Sequence, residues 1–238
     1  MNKAKALSEA VLEACREPTV RGLAAYMTLV HKTDMVERAG GWAEPAEHHY
    51  RMMAALLDDS LGDTAVVTPR DSAKTSLSQF FIEWKIGLAS LAGDKDWAER
   101  CRFLYLRHAE DKALQVSRSI MRTIEDNPMY RTIFPAVLPD EKNWSQSVWS
   151  VKGNTGKDAT FTAGGIESPP LGGRCDRALM DDVSYLKNVA TEGERAKFRE
   201  TMAEVVMPMV VPTGRAFMFA TRWHFEDGVQ WAEDRDWH

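Results

Sequence analysis

The 238-residue sequence lacks several features that would narrow its function at once. Its three cysteines, Cys15, Cys101 and Cys175, are far apart and odd in number. They match neither a disulfide framework nor a zinc motif, and we expect reduced thiols. No apolar run approaches the length of a membrane span, and the first residues do not lead into a signal-peptide core. These absences favour a cytoplasmic protein with no membrane-spanning segment.

A strong excess of one charge is also missing. The formal net charge is −5, and no block of like charges occurs. Such a chain does not coat nucleic acid through a broad basic face, although a small local patch or a ring of subunits that grips DNA in its channel remains compatible with it. With 44% hydrophobic and 27% charged residues, the composition predicts a globular protein with a sizeable core.

Apolar periodicity divides the chain into a helical beginning and an α/β remainder. Helical spacing predicts helices at 5–16, 23–36 and 45–57, with a break at Gly40-Gly41. Short apolar runs then alternate with helical patterns. The predicted strands are 64–68, 102–106, 144–151, 159–163, 178–180 and 216–220, and the predicted helices are 74–88, 109–124 and 192–206. A turn is predicted at Pro212-Thr213-Gly214. The alternation predicts a mostly parallel central sheet flanked by helices, with a helical segment at 1–44 and a core at 45–238.

The stretch "TPRDSAKTS", residues 68–76, has the order of a phosphate-binding loop. A strand precedes it and a helix follows, so that backbone N–H groups and the helix N-terminus can face an anion. Lys74 would reach the phosphates and Thr75 would ligate Mg²⁺. The regular pattern has glycine where this chain has Thr68 and Ala73, and we expect Thr68 to cost more because a β-branched residue resists positive φ. The alternative is a polar turn with an exposed lysine.

Two further strand ends carry polar residues. Asp181-Asp182 follow a short apolar strand, and carboxylates at the carboxyl end of a parallel strand emerge where ligands bind. One could hold the Mg²⁺ shell while its neighbour activates a water; a helix cap or solvated turn is the alternative. The strand at 217–220 ends in Thr221, which could sense a γ-phosphate. Its alternative is an amphipathic loop in which Trp223 covers the core.

In this order the segments resemble the ATPase domain of the large terminase subunit of tailed bacteriophages, over roughly residues 45–236. "PRDSAKTS" is similar to its Walker A segment, "RALMDDV" to its Walker B strand, and "GRAFMFATRWHFED" to its coupling motif. "FLYLRHAEDKALQVSRSIMRTIEDN", "KNWS" and "ATFTAGGIESPPLGGRCD" resemble the family segments between them. No single motif is decisive, but the ordered set is specific. The resemblance implies a RecA-like P-loop NTPase of the additional-strand (ASCE) class that binds ATP and Mg²⁺.

The resemblance also implies roles for individual residues. The ATP-binding residues would be Pro69, Arg70, Asp71, Ser72, Ala73, Lys74, Thr75 and Ser76, with Tyr50 as the contact to the base. Thr75 and Asp181 would bind the metal. Asp182 stands where many family members have the catalytic glutamate, and Arg70 would polarise the γ-phosphate in cis.

Two further roles concern communication between parts of the motor. Thr221 and Arg222 would couple hydrolysis to DNA movement. Arg174 would act as an arginine finger on a neighbouring subunit, with Arg107, Arg118 and Arg177 as alternatives. If Arg174 has only a structural role, we expect a local ion pair with Asp176 or a neighbour.

The implied function is ATP hydrolysis that drives double-stranded DNA into a viral procapsid. The expected partners are DNA, the portal protein and the terminase small subunit, with the subunits in a homo-oligomeric ring in the host cytoplasm. The family continues into a nuclease domain, whereas this sequence ends at His238, so we expect no nuclease among these residues. A RecA-like helicase, a catalytically degenerate scaffold and a nuclease centred on Asp181-Asp182 are the alternatives.

Overall fold

The computed structural model describes residues 3–32 and 44–238. The helices of these residues, in chain order, are α1 (Lys3–Arg16), α2 (Val20–Val30), α3 (Glu47–Leu57), α4 (Lys74–Leu91), α5 (Glu110–Asp126), α6 (Pro128–Ile133), α7 (Leu186–Val189), α8 (Glu192–Thr201) and α9 (Gly228–Glu233). The strands are β1 (Thr64–Val67), β2 (Phe103–Arg107), β3 (Pro139–Trp144), β4 (Val148–Val151), β5 (Phe161–Gly165), β6 (Cys175–Asp181) and β7 (Val210–Ala220). None of these helices is both long and apolar enough to cross a bilayer.

The strands of the described residues form one sheet in the order β1-β7-β6-β2-β5-β4-β3. Neighbours from β1 to β5 are parallel, whereas β4 and β3 add an antiparallel edge. Parallel neighbours need crossover connections, and helices supply them here. The predicted α/β class with a mostly parallel sheet flanked by helices is therefore confirmed.

Alternate residues of the central strands enter two separate hydrophobic cores. Leu179, Phe217 and Phe219 pack into the core beneath α1 to α6. Their neighbours Met180 and Met218 pack into the core beneath α8 and α9. Successive side chains of a strand point to opposite faces of a sheet, so a strand buried on both faces is apolar throughout. This explains why these strands appear in the sequence as short continuous apolar runs.

Helices α1 and α2 pack against α4. The Trp84 indole N–H on α4 donates to the backbone oxygen of Cys15 at 2.7 Å, and the Tyr26 hydroxyl donates to Glu83 Oε2 at 2.8 Å. His31 Nε2 lies 2.6 Å from the same carboxylate oxygen, which is fully buried. The described part of the amino-terminal segment thus shares one core with α4, and its division from the rest at residue 44 stays a prediction.

The predicted turn at Pro212-Thr213-Gly214 is wrong, because β7 runs through these residues without interruption. The pairing with β6 is irregular here: Cys175 faces Val210, whereas Arg177 faces Arg215. Gly214 allows the close approach, since a Cβ there would lie 2.7 Å from the backbone oxygen of Asp176. A Pro-Thr-Gly sequence therefore marks a bulge within a long strand.

Other boundaries also differ from the predictions. The single strand predicted at 144–151 is instead a hairpin, with Trp144 ending β3 opposite Trp149 of β4. Helix α3 begins at Glu47 after an Ala46 cap, so Pro45 precedes the helix. Regular α-helix ends at Thr201, and a π-helical turn occupies Met202–Val206. Residues 33–36 of the second predicted helix, and the break at Gly40-Gly41, lie outside the described residues.

Candidate functional site

The carboxyl ends of β1, β6 and β7 surround a cavity of about 850 Å³. These strands are neighbours in the sheet, so the chain segments that follow them converge at one edge. The loop from Arg70 to Ser76 forms one wall, and residues from three other segments complete the lining, namely His108, Asp182, Ser184, Tyr185, Leu186, Thr221 and Trp223. The three polar segments identified in the sequence thus meet in a single pocket.

Lys74 is the first residue of α4, and its side chain is held inside the loop. It is 5% exposed, and Nζ donates to the backbone oxygens of Thr68 at 3.1 Å and Pro69 at 2.8 Å. A third bond runs to Thr221 Oγ1 at 3.1 Å, and Thr221 in turn donates to the Thr68 oxygen. The alternative of an exposed lysine on a simple turn is wrong, since the ammonium links β1 to β7.

Backbone strain is concentrated at this pocket. Among the described residues, the non-glycine residues with positive φ are Asp71 (64°), Ala73 (58°), Asp182 (49°) and Asp236 (57°), and the first three line the cavity. Left-handed backbone costs a residue with a Cβ free energy and persists where the surroundings impose it. Thr68, where we expected the missing glycine to cost most, is free of this strain; its hydroxyl bonds Ser72 Oγ at 2.7 Å.

Asp181 lies at the end of β6 with its carboxylate fully buried. Its Oδ2 accepts hydrogen bonds from Thr75 Oγ1 at 2.6 Å and from the Tyr105 hydroxyl at 2.9 Å. Burial raises the pKa of Asp181, and the positive charge of Arg107, with Nε 3.2 Å from Oδ2, opposes this rise. The buried Oδ1 atoms of Asp181 and Asp182 have no hydrogen-bond partner among the described residues.

The site fits a metal that takes few protein ligands. The described residues contain no cluster of three or more His, Cys, Asp or Glu side chains that could hold a metal ion. Mg²⁺ in nucleotide sites is commonly held by one or two protein oxygens together with phosphate and water. The Thr75 hydroxyl and the Asp181 carboxylate, with its unpartnered buried oxygen, supply such a pair.

The two residues predicted for coupling, which follow β7, have different surroundings. Thr221 faces the cavity, whereas Arg222 is hydrogen-bonded to Glu233 of α9. Trp223 returns to the pocket, and the Arg70 guanidinium lies 4.7 Å from the centre of its ring. Arg70 is therefore positioned at the mouth of the cavity by a cation–π contact.

Arg174 and Tyr50, like Arg222, lie away from the pocket. Arg174 precedes β6, so the strand separates it from Asp181 by about 20 Å. Its guanidinium donates to the Pro208 oxygen at 2.9 Å, and the ion pair considered with Asp176 is wrong because Asp176 pairs with Arg102. Tyr50 on α3 is 39% exposed and does not line the cavity.

Sequence reasoning named Arg107 only as an alternative arginine finger and missed the contacts that β2 makes with Asp181. Tyr105 and Arg107 contact Asp181 from β2, because Arg107 pairs with Asp181 in the register of the two strands. The available signal was that Arg107 ends a predicted strand, and the carboxyl ends of neighbouring parallel strands meet.

The sheet order, the loop between β1 and α4 and the acidic end of β6 define a RecA-like P-loop fold. Among solved structures, the large terminase of bacteriophage HK97 is similar to this chain, with a TM-score of 0.57 and 13% identity over 89% of this chain and 40% of that chain. A Saccharomyces cerevisiae Dbp5 variant bound to Gle1 and IP6 has a TM-score of 0.49 and 10% identity, over 85% of this chain and 46% of that chain. No family model and no curated protein matches the sequence. The chain thus shares the fold of the terminase and spans less than half of its length.

Proposed function

We propose that this chain is a Mg²⁺-dependent ATPase and the motor domain of a terminase large subunit, which uses ATP hydrolysis to move double-stranded DNA into a viral procapsid. The observation that carries the proposal is the pair of hydrogen bonds that begins α4: Lys74 to Thr221 and Thr75 to Asp181. They bring the cation, the hydroxyl and the carboxylate that nucleotide hydrolysis needs to one helix N-terminus. The fold shared with the HK97 terminase supports the more specific assignment.

The loop residues bind and orient the nucleotide. The backbone from Pro69 to Ser76 surrounds the phosphates at the N-terminus of α4, and Lys74 exchanges its bonds to the Thr68 and Pro69 oxygens for phosphate oxygens. Mg²⁺, held by Thr75 and Asp181, supplies charge neutralisation on the phosphates. Asp182 accepts the proton of the attacking water, and Arg70 provides positive charge at the γ-phosphate from the same chain.

Thr221 links the pocket to the segment that follows β7. Its hydroxyl accepts a hydrogen bond from Lys74 Nζ at 3.1 Å. When Lys74 turns toward a phosphate, that bond is lost, and Thr221 keeps its donor bond to the Thr68 oxygen. The segment containing Arg222 and Trp223 follows directly and contacts both α9 and Arg70, so the change reaches the surface of the domain.

The proposed partners are double-stranded DNA, the portal protein and the terminase small subunit, in the cytoplasm of an infected or prophage-carrying host. Subunits would assemble as a homo-oligomeric ring. Because Arg174 is remote from its own pocket, it can serve hydrolysis only across a subunit boundary. Tyr50 of α3 keeps the proposed base contact.

The first experiment measures thermal unfolding with MgADP and with a non-hydrolysable ATP analogue, for the wild type and Lys74→Ala. Ligand at a hundred times Kd adds about 2.7 kcal/mol to the free energy of unfolding. We expect this shift in the wild type and in the control Lys95→Ala, which changes an exposed lysine beyond α4. We expect none in Lys74→Ala. Absence of a shift in the wild type would refute nucleotide binding and favour the alternative of a catalytically degenerate scaffold.

A turnover assay then separates the remaining alternatives. Hydrolysis per chain that rises with protein concentration and responds to double-stranded DNA supports a ring motor. Turnover independent of concentration, together with duplex unwinding, supports a helicase. Cleavage of DNA with Mn²⁺ in the absence of ATP would favour a nuclease centred on Asp181-Asp182 and overturn the proposal.

A further inference from the structure

A second cavity, of about 490 Å³, adjoins the proposed catalytic carboxylates. Thr75 lines both cavities, and Arg107, which contacts Asp181, lines the second one. The other polar residues that line this cavity come mainly from α5, namely Gln115, Arg118, Ser119 and Arg122. We call it the arginine cavity.

The charge of the arginine cavity is unbalanced. Three guanidinium groups line it and no aspartate or glutamate does. Arg107 also forms ion pairs with two carboxylates: Nε lies 3.2 Å from Asp181 Oδ2, and Nη2 lies 3.8 Å from Asp182 Oδ2. Arg118 has the neutral amide of Gln146 as its partner at 2.9 Å, and Arg122 forms no ion pair with any residue that the structure describes. Arg118 and Arg122 are four residues apart on α5, where like charges repel.

The neutral groups of the cavity are oriented as donors. Gln79 Nε2 donates to Ser119 Oγ at 2.9 Å and to Glu83 Oε1 at 3.0 Å, which fixes the amide between α4 and α5. Because the Ser119 oxygen accepts this bond, its own proton is available to another acceptor. Arginine has donors only. The arginine cavity therefore offers guanidinium donors, the Ser119 hydroxyl proton and positive charge to a ligand that brings acceptors and negative charge.

We propose that the arginine cavity is a binding site for a phosphate-class oxyanion, distinct from the nucleotide pocket. Arginine forks match the oxygens of phosphate in pairs, and an oxyanion between Arg118 and Arg122 removes their repulsion. Arg107 contacts both this cavity and Asp181, so an anion here competes with Asp181 for the same guanidinium. The anion is either free orthophosphate or a phosphodiester of a nucleic acid; both present the same acceptor oxygens.

The proposal is tested by calorimetric titration of orthophosphate into Lys74→Ala, which removes the lysine of the loop as a competing phosphate ligand. We expect saturable binding of one orthophosphate per chain. Adding Arg118→Gln and Arg122→Gln should weaken this binding at least about tenfold, since two of the three charges are lost. Adding Arg51→Gln instead, which changes an exposed arginine on α3, should leave it unchanged. Circular dichroism verifies that each variant is folded, and the wild type with MgADP bound repeats the titration in an intact loop.

A second titration separates the two sources of phosphate. A short fluorescent DNA duplex is added to the same variants, and its anisotropy is followed at constant ionic strength. Loss of orthophosphate binding alone in the double arginine variant identifies a site for free phosphate, whereas loss of duplex binding alone identifies a phosphodiester site. The proposal is overturned if neither ligand binds, or if the double variant binds both as tightly as the Arg51→Gln control. Because the Lys74→Ala chain is used, failure of nucleotide binding does not affect this result.

Discussion

Single residues in the proposed nucleotide pocket keep a backbone conformation that ordinarily selects glycine. Ala73 has a φ of 58° directly before α4, and Asp71 has a φ of 64° two residues earlier. Both residues lie in the loop, where the regular motif has glycine at position 73 but not at position 71. The protein therefore forms the loop without glycine, and the surrounding hydrogen bonds of Lys74 and Ser72 hold the strained backbone.

This strain predicts that Ala73→Gly stabilises the ligand-free protein by about 1 kcal/mol, because glycine takes positive φ without a steric cost. The matched control is Ala54→Gly, at an exposed position inside α3. There glycine should destabilise by about 1 kcal/mol. Denaturant unfolding of both variants measures the change in the free energy of unfolding, which should be positive for Ala73→Gly and negative for Ala54→Gly. Destabilisation of similar size in both would show that Ala73 is not strained.

Asp181 predicts an unusual dependence of stability on pH. Burial raises its pKa in the folded protein above the ordinary value of 3.8, so the folded state binds the proton more tightly than the unfolded state. Stability from this group is complete below 3.8 and falls as the pH rises through the folded pKa. Asp181→Asn should therefore unfold at a higher urea concentration than the wild type at pH 7, and the difference should shrink toward pH 3.

Asp140→Asn is the control of opposite sign. Hydrogen bonds from Asn143 and the Lys142 backbone lower the pKa of the exposed Asp140, so its contribution is present at pH 7 and is lost in acid. Its asparagine variant should be no more stable than the wild type at pH 7. A lower urea midpoint for Asp181→Asn at that pH would contradict the expected cost of the buried charge.

At the scale of elements, the packing of α4 reverses the usual effect of a helical glycine. Gly87 lies in the interior of α4, where alanine ordinarily stabilises. An added Cβ at Gly87 would lie 2.3 Å from the ring of Phe134. That ring is fully buried and packs against Tyr26 and Tyr130, so it cannot move aside cheaply.

Gly87→Ala should therefore destabilise the protein by about 1–3 kcal/mol through overpacking. Gly62→Ala serves as the control, because no atom lies within 4 Å of a Cβ at that position. It should be neutral or stabilising by up to about 1 kcal/mol. Thermal or urea unfolding compares them, and equal midpoints for the two variants would show that the contact with Phe134 relaxes freely.

The sequence allowed the parallel part of the sheet to be predicted because each strand is apolar on both faces and a helix follows most of them. The antiparallel edge could not be predicted in the same way. β3 contains Asp140, Glu141 and Lys142, whose side chains face solvent at the edge of the sheet, so its pattern is that of a loop. The hairpin forms because Trp144 packs against Trp149, a contact that neither segment shows alone.

The candidate site was predictable to a similar extent. Lys74, Thr75, Asp181 and Thr221 follow from the general position of strand ends in parallel sheets. The pairing of Arg107 with Asp181 depends on the register of β2 against β6 and on the position of β2 next to β6 in the sheet. The sequence fixes neither of these locally, so Arg107 appeared only as one arginine among several.

At the scale of the whole molecule, the position of Arg174 predicts that hydrolysis depends on assembly. Arg174→Ala should bind MgADP as the wild type does, yet lower ATP turnover at high protein concentration by about a thousandfold or more, since an arginine finger contributes this much. Arg100→Ala, at an exposed ion pair with Asp94, should have no effect on turnover.

Mixing two inactive variants tests whether the arginine acts between chains. Arg174→Ala keeps its own nucleotide loop and Lys74→Ala keeps its own Arg174, so mixed assemblies should regain part of the turnover that each variant lacks alone. Wild-type turnover in Arg174→Ala, or no recovery in the mixture at any ratio, would assign the finger to another arginine.

Helix α4 connects these scales. It begins at the loop that holds Lys74, and its 18 residues span about 27 Å. Glu83 and Trp84, about halfway along the helix, contact α2 and α1. Its close packing gives it little freedom to bend, so it behaves as a rigid lever. A tilt of roughly 5° at the loop would displace the far end by about 2 Å over that length. The amino-terminal helices, which contact α4 about halfway along, would be displaced by about 1 Å in the same movement.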